Sequence, residues 1–256
     1  MRETTIDVRG VKVRALEAGA GPIVLFLHGL EGPRVDPLLA ELTQGHRVIA
    51  PEIPGFGRSS VPDWMMSMAD AALFGLDLVD SLGLGRVHLA GHSIGGWMAA
   101  EMAIRHPTAF ASLTLISPMG VSPRAHPKDD IFVPAPDLVV RAQFHDAALA
   151  EKEIAARAGE EIDIVLQNRT GLARLAWTPR FANIQLPHWL HRVRAPTLVV
   201  WGEDDRITPV DCCDVFEREI AGAEVVRYAG CGHAVPYERG AETARVMGRF
   251  IAGVGA

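Results

Sequence analysis

Ser93 stands in the stretch GHSIG, between Gly91 and Gly95. The apolar run Val87-His88-Leu89-Ala90 precedes it, and an alanine- and methionine-rich helical pattern from Gly96 to Arg105 follows. A buried strand that runs into a helix over so few residues makes the chain reverse sharply. The residue at the tip is strained, and side chains two positions to either side would clash there, which glycine avoids. The hydroxyl is then presented at the end of the sheet and at the N-terminus of the following helix, the arrangement of a nucleophile elbow. A serine hydroxyl is a weak nucleophile alone and needs an adjacent base. A histidine can take the proton and return it to a leaving group, a carboxylate can fix the histidine's tautomer, and backbone N–H groups must meet the oxyanion. Three further stretches offer those parts: HGLEG (His28 to Gly32), WGEDDRITP (Trp201 to Pro209) and GCGHAVPYE (Gly230 to Glu238).

The elements that must bring these stretches together are visible as apolar runs. Ile6 and Val8, then Val11 and Val13, alternate around Gly10 as a hairpin does. PIVLFLHG, RVIAPEIPG, VHLAG, LTLISP, TLVVWG and EVVRYAG follow as short buried-strand candidates, separated by helical patterns or longer segments. Strands alternating with helices give a mostly parallel open sheet flanked by helices, with right-handed crossovers. Ligands bind such sheets beyond the carboxyl ends of the strands, and the four marked stretches all follow strand candidates.

The rhythm breaks between Met119 and Arg192, where no buried-strand signal appears. A proline-rich loop opens this segment, and helical patterns follow at about 137–158 and 160–176. An inserted helical cap at 119–192 over a core formed by 1–118 and 193–256 is the expected organisation; a separate small helical domain is the alternative. Met119, Phe132, Trp177, Phe181 and Trp189 are, as a group, candidates for a pocket lining, although at helical spacing each single one is more often core. Arg124, His126 and Lys128 could receive an anionic group or simply form a solvated loop.

Together, the HG pair, G-x-S-x-G, W-G-x-x-D and the late G-H resemble the α/β-hydrolase fold family, in its serine branch with a helical cap, over nearly the whole chain. The family's order is Ser, then Asp or Glu, then His. By that resemblance Ser93 is the nucleophile, Asp205 the acid and His233 the base. The chemistry of the turn alone does not separate Asp205 from Asp204; the family's spacing favours Asp205. The resemblance also assigns the oxyanion hole to the backbone N–H groups of Leu30 and Ile94. It gives His28 a structural role in the oxyanion loop and turns His92 away from Ser93 as a packing residue.

With 256 residues, 48% of them apolar, the chain can bury a core without disulfides or metal. A formal net charge of −6 with no Lys/Arg-rich run argues against nucleic acid as a partner. Three cysteines without framework spacing, Cys212, Cys213 and Cys231, suggest free thiols in a reducing compartment. The start lacks the apolar core of a signal peptide, and no run reaches the length of a membrane span, so a cytoplasmic, membrane-free protein is expected. The glycines of GLEG and the Gly83–Gly85 pair do not make a dinucleotide fingerprint, and no zinc spacing occurs, so neither cofactor nor metal is expected. Homo-oligomerisation is left open. The leading expectation is hydrolysis of a small, largely apolar carboxylic ester, lactone or thioester through an acyl-enzyme. The alternatives are a carbon–carbon bond hydrolase acting on a ring-cleavage product and a small-molecule receptor. Against the carbon–carbon group, Ala234 follows His233 where those enzymes usually have tryptophan, and the elbow reads G-H-S where theirs usually reads G-N-S.

Overall fold

Side chains along a strand alternate between its two faces, and the central strands use both. In the computed structural model, which describes residues 1–60, 62–122 and 129–254, Leu25 and Leu27 enter one core while Val24 and Phe26 enter the other. Ile49 faces the first core and Val48 and Ala50 the second; Val199 and Trp201 divide from Leu198 and Val200 in the same way. This is why these runs read as continuously apolar: both faces are covered by helices.

The strands are β1 (Arg2–Val8), β2 (Val11–Ala18), β3 (Ile23–Leu27), β4 (Arg47–Pro51), β5 (Val87–His92), β6 (Phe110–Ile116), β7 (Thr197–Gly202) and β8 (Glu224–Tyr228). They form one sheet in the order β1-β2-β4-β3-β5-β6-β7-β8. β2 runs antiparallel to β1 and to β4, and every other pairing is parallel. The helices are α1 (Pro37–Leu42), α2 (Met68–Leu82), α3 (Ile94–Arg105), α4 (Pro136–Gln143), α5 (Ala147–Arg157), α6 (Ile162–Ala176), α7 (Leu186–Trp189), α8 (Cys213–Glu219), α9 (Val235–Glu238) and α10 (Gly240–Val254). α1 and α10 cover one face; α2, α3 and α8 cover the other. Local signals set several ends: Ser67 caps α2 by accepting from Asp70 N–H, and Gly83 closes it at φ 60°.

Helices α4 to α7 lie between β6 and β7, in the segment without buried strands. The first of the two expected helical patterns is in fact broken. Phe144 is extended at φ −104° and ψ 142°, and Asp146 starts α5 afresh by accepting from Ala148 and Leu149 N–H. Val133, Leu138, Ile162 and Leu166 stand exposed on this segment. These helices have one side to bury; α6 spends it on Asn168, Gly171, Leu172 and Leu175. Arg124, His126 and Lys128 lie outside the described residues. Among the described residues no helix is long and apolar enough to cross a membrane.

Candidate active site

The carboxyl end of β5 delivers Ser93 at φ 57° and ψ −118°. A non-glycine residue held there costs about 1–3 kcal/mol, which the surroundings must offset. They do so by leaving no alternative path. A Cβ on Gly91 would lie 2.3 Å from the Gly95 carbonyl oxygen, and one on Gly95 would lie 2.3 Å from that of Leu27. Ser93 N–H donates to the Ile116 carbonyl at 2.9 Å, and Met119 N–H donates to the Ser93 carbonyl at 3.0 Å. Ser93 also occupies the N-cap position of α3, where a serine hydroxyl ordinarily accepts from the first turn. Here it makes no capping bond; its Oγ lies 2.8 Å from His233 Nε2.

His233 hangs from the loop after β8, with Nδ1 2.8 Å from Asp205 Oδ2. Asp205, in the turn after β7, is held on all sides. Its Oδ1 accepts from Ile207 N–H at 2.8 Å and Thr208 N–H at 2.7 Å, and its Oδ2 accepts from the Thr208 hydroxyl at 2.8 Å. Four donors on one buried carboxylate fix its plane. Asp204 points elsewhere, to His145 Nδ1 at 3.2 Å, and is half exposed. Thr208 was not singled out from the sequence; it stands three residues past Asp205 and also lies 3.1 Å from His233 Nδ1.

The HGLEG loop after β3 closes the third side. His28 is buried, and burial pulls it down to about 4, so the ring is neutral. Its Nδ1–H donates to the Gly29 carbonyl at 2.7 Å, and its Nε2 accepts from Ile53 N–H at 2.9 Å. The ring therefore shapes the loop and is unavailable as a base. His92, pulled down to about 3 by burial and by the nearby His233, donates from Nε2–H to the His233 carbonyl at 2.9 Å. Its Nδ1 crowds Gly29, where a Cβ would approach to 2.6 Å. Among the described residues nothing accepts a bond from the N–H of Leu30 or of Ile94. Glu31 anchors the loop: its carboxylate meets Arg157 at 2.7 Å and the Gln143 amide at 3.1 Å, and its carbonyl accepts from Asn168 at 3.1 Å. All three anchors belong to the inserted segment.

A cavity of about 350 Å³ lies between α4, α5 and α6 and reaches Leu30. Ile131, Val139, Val140, Ile154, Val165 and Leu172 line its apolar part, and Glu31, Asp137, Arg157, Glu160, Asn168 and Arg169 its polar part. The aromatic residues expected in the lining are not there. Phe132 stacks on Phe181 at 4.5 Å and against Trp177 at 4.9 Å, Met119 is buried in the main core, and Trp189 is half exposed. Aromatic rings found partners in one another, which withdrew them from the cavity. Ser93 and His233 expose no surface to solvent.

Cys212, Cys213 and Cys231 are all buried, and burial pushes the Cys213 thiol up to about 12. Among the described residues no cluster of three His, Cys, Asp or Glu side chains could hold a metal ion.

Residues 24–246 match the model of the alpha/beta hydrolase family. The chain belongs to that family. It is 27% identical over 270 residues to 2-hydroxymuconate semialdehyde hydrolase of Pseudomonas sp. strain CF600, with 96% of this chain and 93% of that protein covered. It is 29% identical over 258 residues to the dihydrolipoyllysine-residue acetyltransferase component of the acetoin cleaving system of Cupriavidus necator, covering 96% of this chain and 68% of that protein. Among solved structures it superposes on a membrane phospholipase A, a bacterial virulence factor, with TM-score 0.81 and 29% identity over 99% of this chain and 86% of the other. As an alpha/beta hydrolase with hydrolase relatives, the protein is an enzyme.

Proposed function

We propose that this alpha/beta hydrolase is a serine hydrolase that cleaves a small, largely apolar carboxylic ester, lactone or thioester through an acyl-enzyme. One observation carries the reading: Ser93 Oγ, His233 and Asp205 form a single buried relay of two 2.8 Å contacts, starting from a strained serine whose hydroxyl is not spent on capping its own helix. In the first step Ser93 Oγ attacks the acyl carbon while His233 Nε2 takes its proton, and Asp205 stabilises the imidazolium through Nδ1–H. The oxyanion is received by Leu30 and Ile94 N–H, the latter at the positive end of α3. His233 then gives the proton to the leaving alcohol or thiol. Water attacks the acyl-enzyme, loses its proton to His233, and the acid departs as Ser93 regains its hydrogen.

The segment 119–192 serves as the cap, over a core of 1–118 and 193–256. Its cavity of about 350 Å³ lies at the small end of ligand pockets, which run from about 300 to 1,000 Å³. That size favours dissolved molecules of modest length over emulsified fat. A second reading, carbon–carbon hydrolysis of a vinylogous diketone, is favoured by relatives such as the semialdehyde hydrolase. A panel of p-nitrophenyl esters and one vinylogous 1,5-diketone, assayed side by side with fluorophosphonate labelling of Ser93, separates them. A labelled enzyme that turns over esters supports the first reading. Turnover of the diketone alone transfers it to the second, and absence of labelling and turnover on both removes the serine hydrolase reading.

A further inference from the structure

The backbone on each side of His233 is tied to the segment between β6 and β7, directly on one side and through Glu238 on the other. Ala234 N–H, just after it, donates to the Gln143 carbonyl at 2.8 Å. Gly232 N–H, just before it, donates to Glu238 Oε2 at 2.6 Å. The other oxygen of the same carboxylate, Oε1, accepts from His145 N–H at 2.9 Å and Asp146 N–H at 2.7 Å. These two N–H groups lie in the break between α4 and α5, where the chain leaves the helical path. The approach is close: a Cβ on Gly232 would meet the Gln143 carbonyl oxygen at 2.5 Å and His145 N at 2.8 Å.

The geometry points to Glu238 as a positioning residue that ties the seat of the inserted segment to the loop carrying His233. This rests on His233 acting as the base. A carboxylate suits the place because the three N–H groups it meets are all donors and it offers an acceptor oxygen on each side. The strap also accounts for the break after Gln143: the N–H groups of residues 145 and 146 are drawn out toward α9. Seating of the helices over the site and alignment of His233 between Ser93 and Asp205 thus become one event.

Glu238→Gln is the discriminating change. It keeps the size of the side chain, yet its amide NH2 must face either Gly232 N–H or the N–H pair of His145 and Asp146, donor against donor. Asp146→Ala is the matched control, since it removes the side-chain cap of α5 and leaves the backbone N–H that Glu238 holds. The first measurement is the acylation burst with p-nitrophenyl acetate, followed to saturation. Glu238→Gln is expected to lower the saturating burst rate at least tenfold with little change in the half-saturating concentration, and Asp146→Ala to leave the rate within about twofold. The second is the low-field proton resonance of the His233 ring N–H bonded to Asp205, which needs no substrate. It is expected to broaden or vanish in Glu238→Gln and to persist in Asp146→Ala. A folded Glu238→Gln enzyme with the wild-type burst and resonance overturns the assignment, as does an equal loss in both variants at matched melting temperature. If the wild type shows no burst with any activated ester, the serine hydrolase reading fails, and the resonance still decides the role of Glu238.

Discussion

The elbow around Ser93 and the inserted segment above it are built by opposite means. At the elbow, backbone presses on backbone at Gly91 and Gly95 and the His92 ring presses on Gly29, and the side-chain polar atoms of His233 and Asp205 all have partners. In the inserted segment, contacts run through long side chains. Glu31, Arg157, Glu153, Arg34 and Glu160 form a chain of ion pairs, and apolar side chains stand open to solvent. The first construction fixes one geometry at the cost of strain; the second admits rearrangement, since partly exposed pairs of this kind are each worth little. Under the proposed function, chemistry belongs to the elbow and choice of substrate to the segment between β6 and β7.

The largest test of that division is Ser93→Ala, expected to lower kcat on an activated ester by about 10⁶ while the folded content by circular dichroism is unchanged. Residual turnover near the wild-type rate would move the chemistry out of the elbow. Next is the aspartate pair. Asp205→Asn is expected to cost about 10⁴ in kcat by presenting a donor where His233 Nδ1–H needs an acceptor. Asp204→Asn, which loses only a half-exposed contact to His145, stays within about threefold. Steady-state kinetics on the two variants ranks them, and the reverse ranking would sink the relay described above.

The adjustable region is probed through specificity. Val165→Trp fills the cavity beside Leu30 and is expected to raise KM for a hexanoyl ester about tenfold, the scale of a few lost methylene contacts, with the acetyl ester little affected. Trp177→Ala is expected to leave the acyl-chain profile unchanged because Trp177 packs on Phe132 and Arg180 outside the cavity. A shifted profile in Trp177→Ala alone would restore the aromatic lining that the structure withdraws. The smallest effect concerns Asp36, the cap of α1, whose carboxyl burial pushes up from 3.8 to about 7. The folded form resists ionisation, so the stability this group contributes is whole below 3.8 and drains away as pH rises through 7. Asp36→Asn keeps an acceptor for Leu39 N–H and has no charge to bury. Its melting temperature relative to wild type is expected to climb by a few degrees between pH 5 and pH 8, about 2–4 °C for each kcal/mol relieved. A constant difference across that range would show that Asp36 ionises freely.

What the sequence makes legible follows the same division. Strands buried on both faces announce themselves as apolar runs, and a serine between two glycines announces the clash it avoids, so the sheet and the elbow are readable locally. Thr208 was passed over because a threonine in a polar turn looks like any other until the carboxylate it serves is placed. The break at 144–146 was unreadable because Glu238, more than ninety residues on, supplies its acceptor. The cavity lining is not legible for a related reason: Phe132, Phe181 and Trp177 have chemistry that suits a pocket or a core, and in the structure they pack on one another.

The absence of any solvent-facing surface on Ser93 has a kinetic consequence. A group that can be reached only from an opened conformer reacts at the opening frequency or at the open-state population multiplied by its intrinsic rate, whichever is slower. With modest acyl donors the chemistry is slower, and better leaving groups speed the reaction. Under the proposed mechanism, opening becomes the slow step of the acylation burst with very reactive donors, and leaving-group ability ceases to matter there. A plot of log rate against leaving-group pKa would therefore bend to a plateau, and viscosity would slow the reaction only on the flat part. The height of that plateau is a property of the protein alone, common to every small donor it accepts.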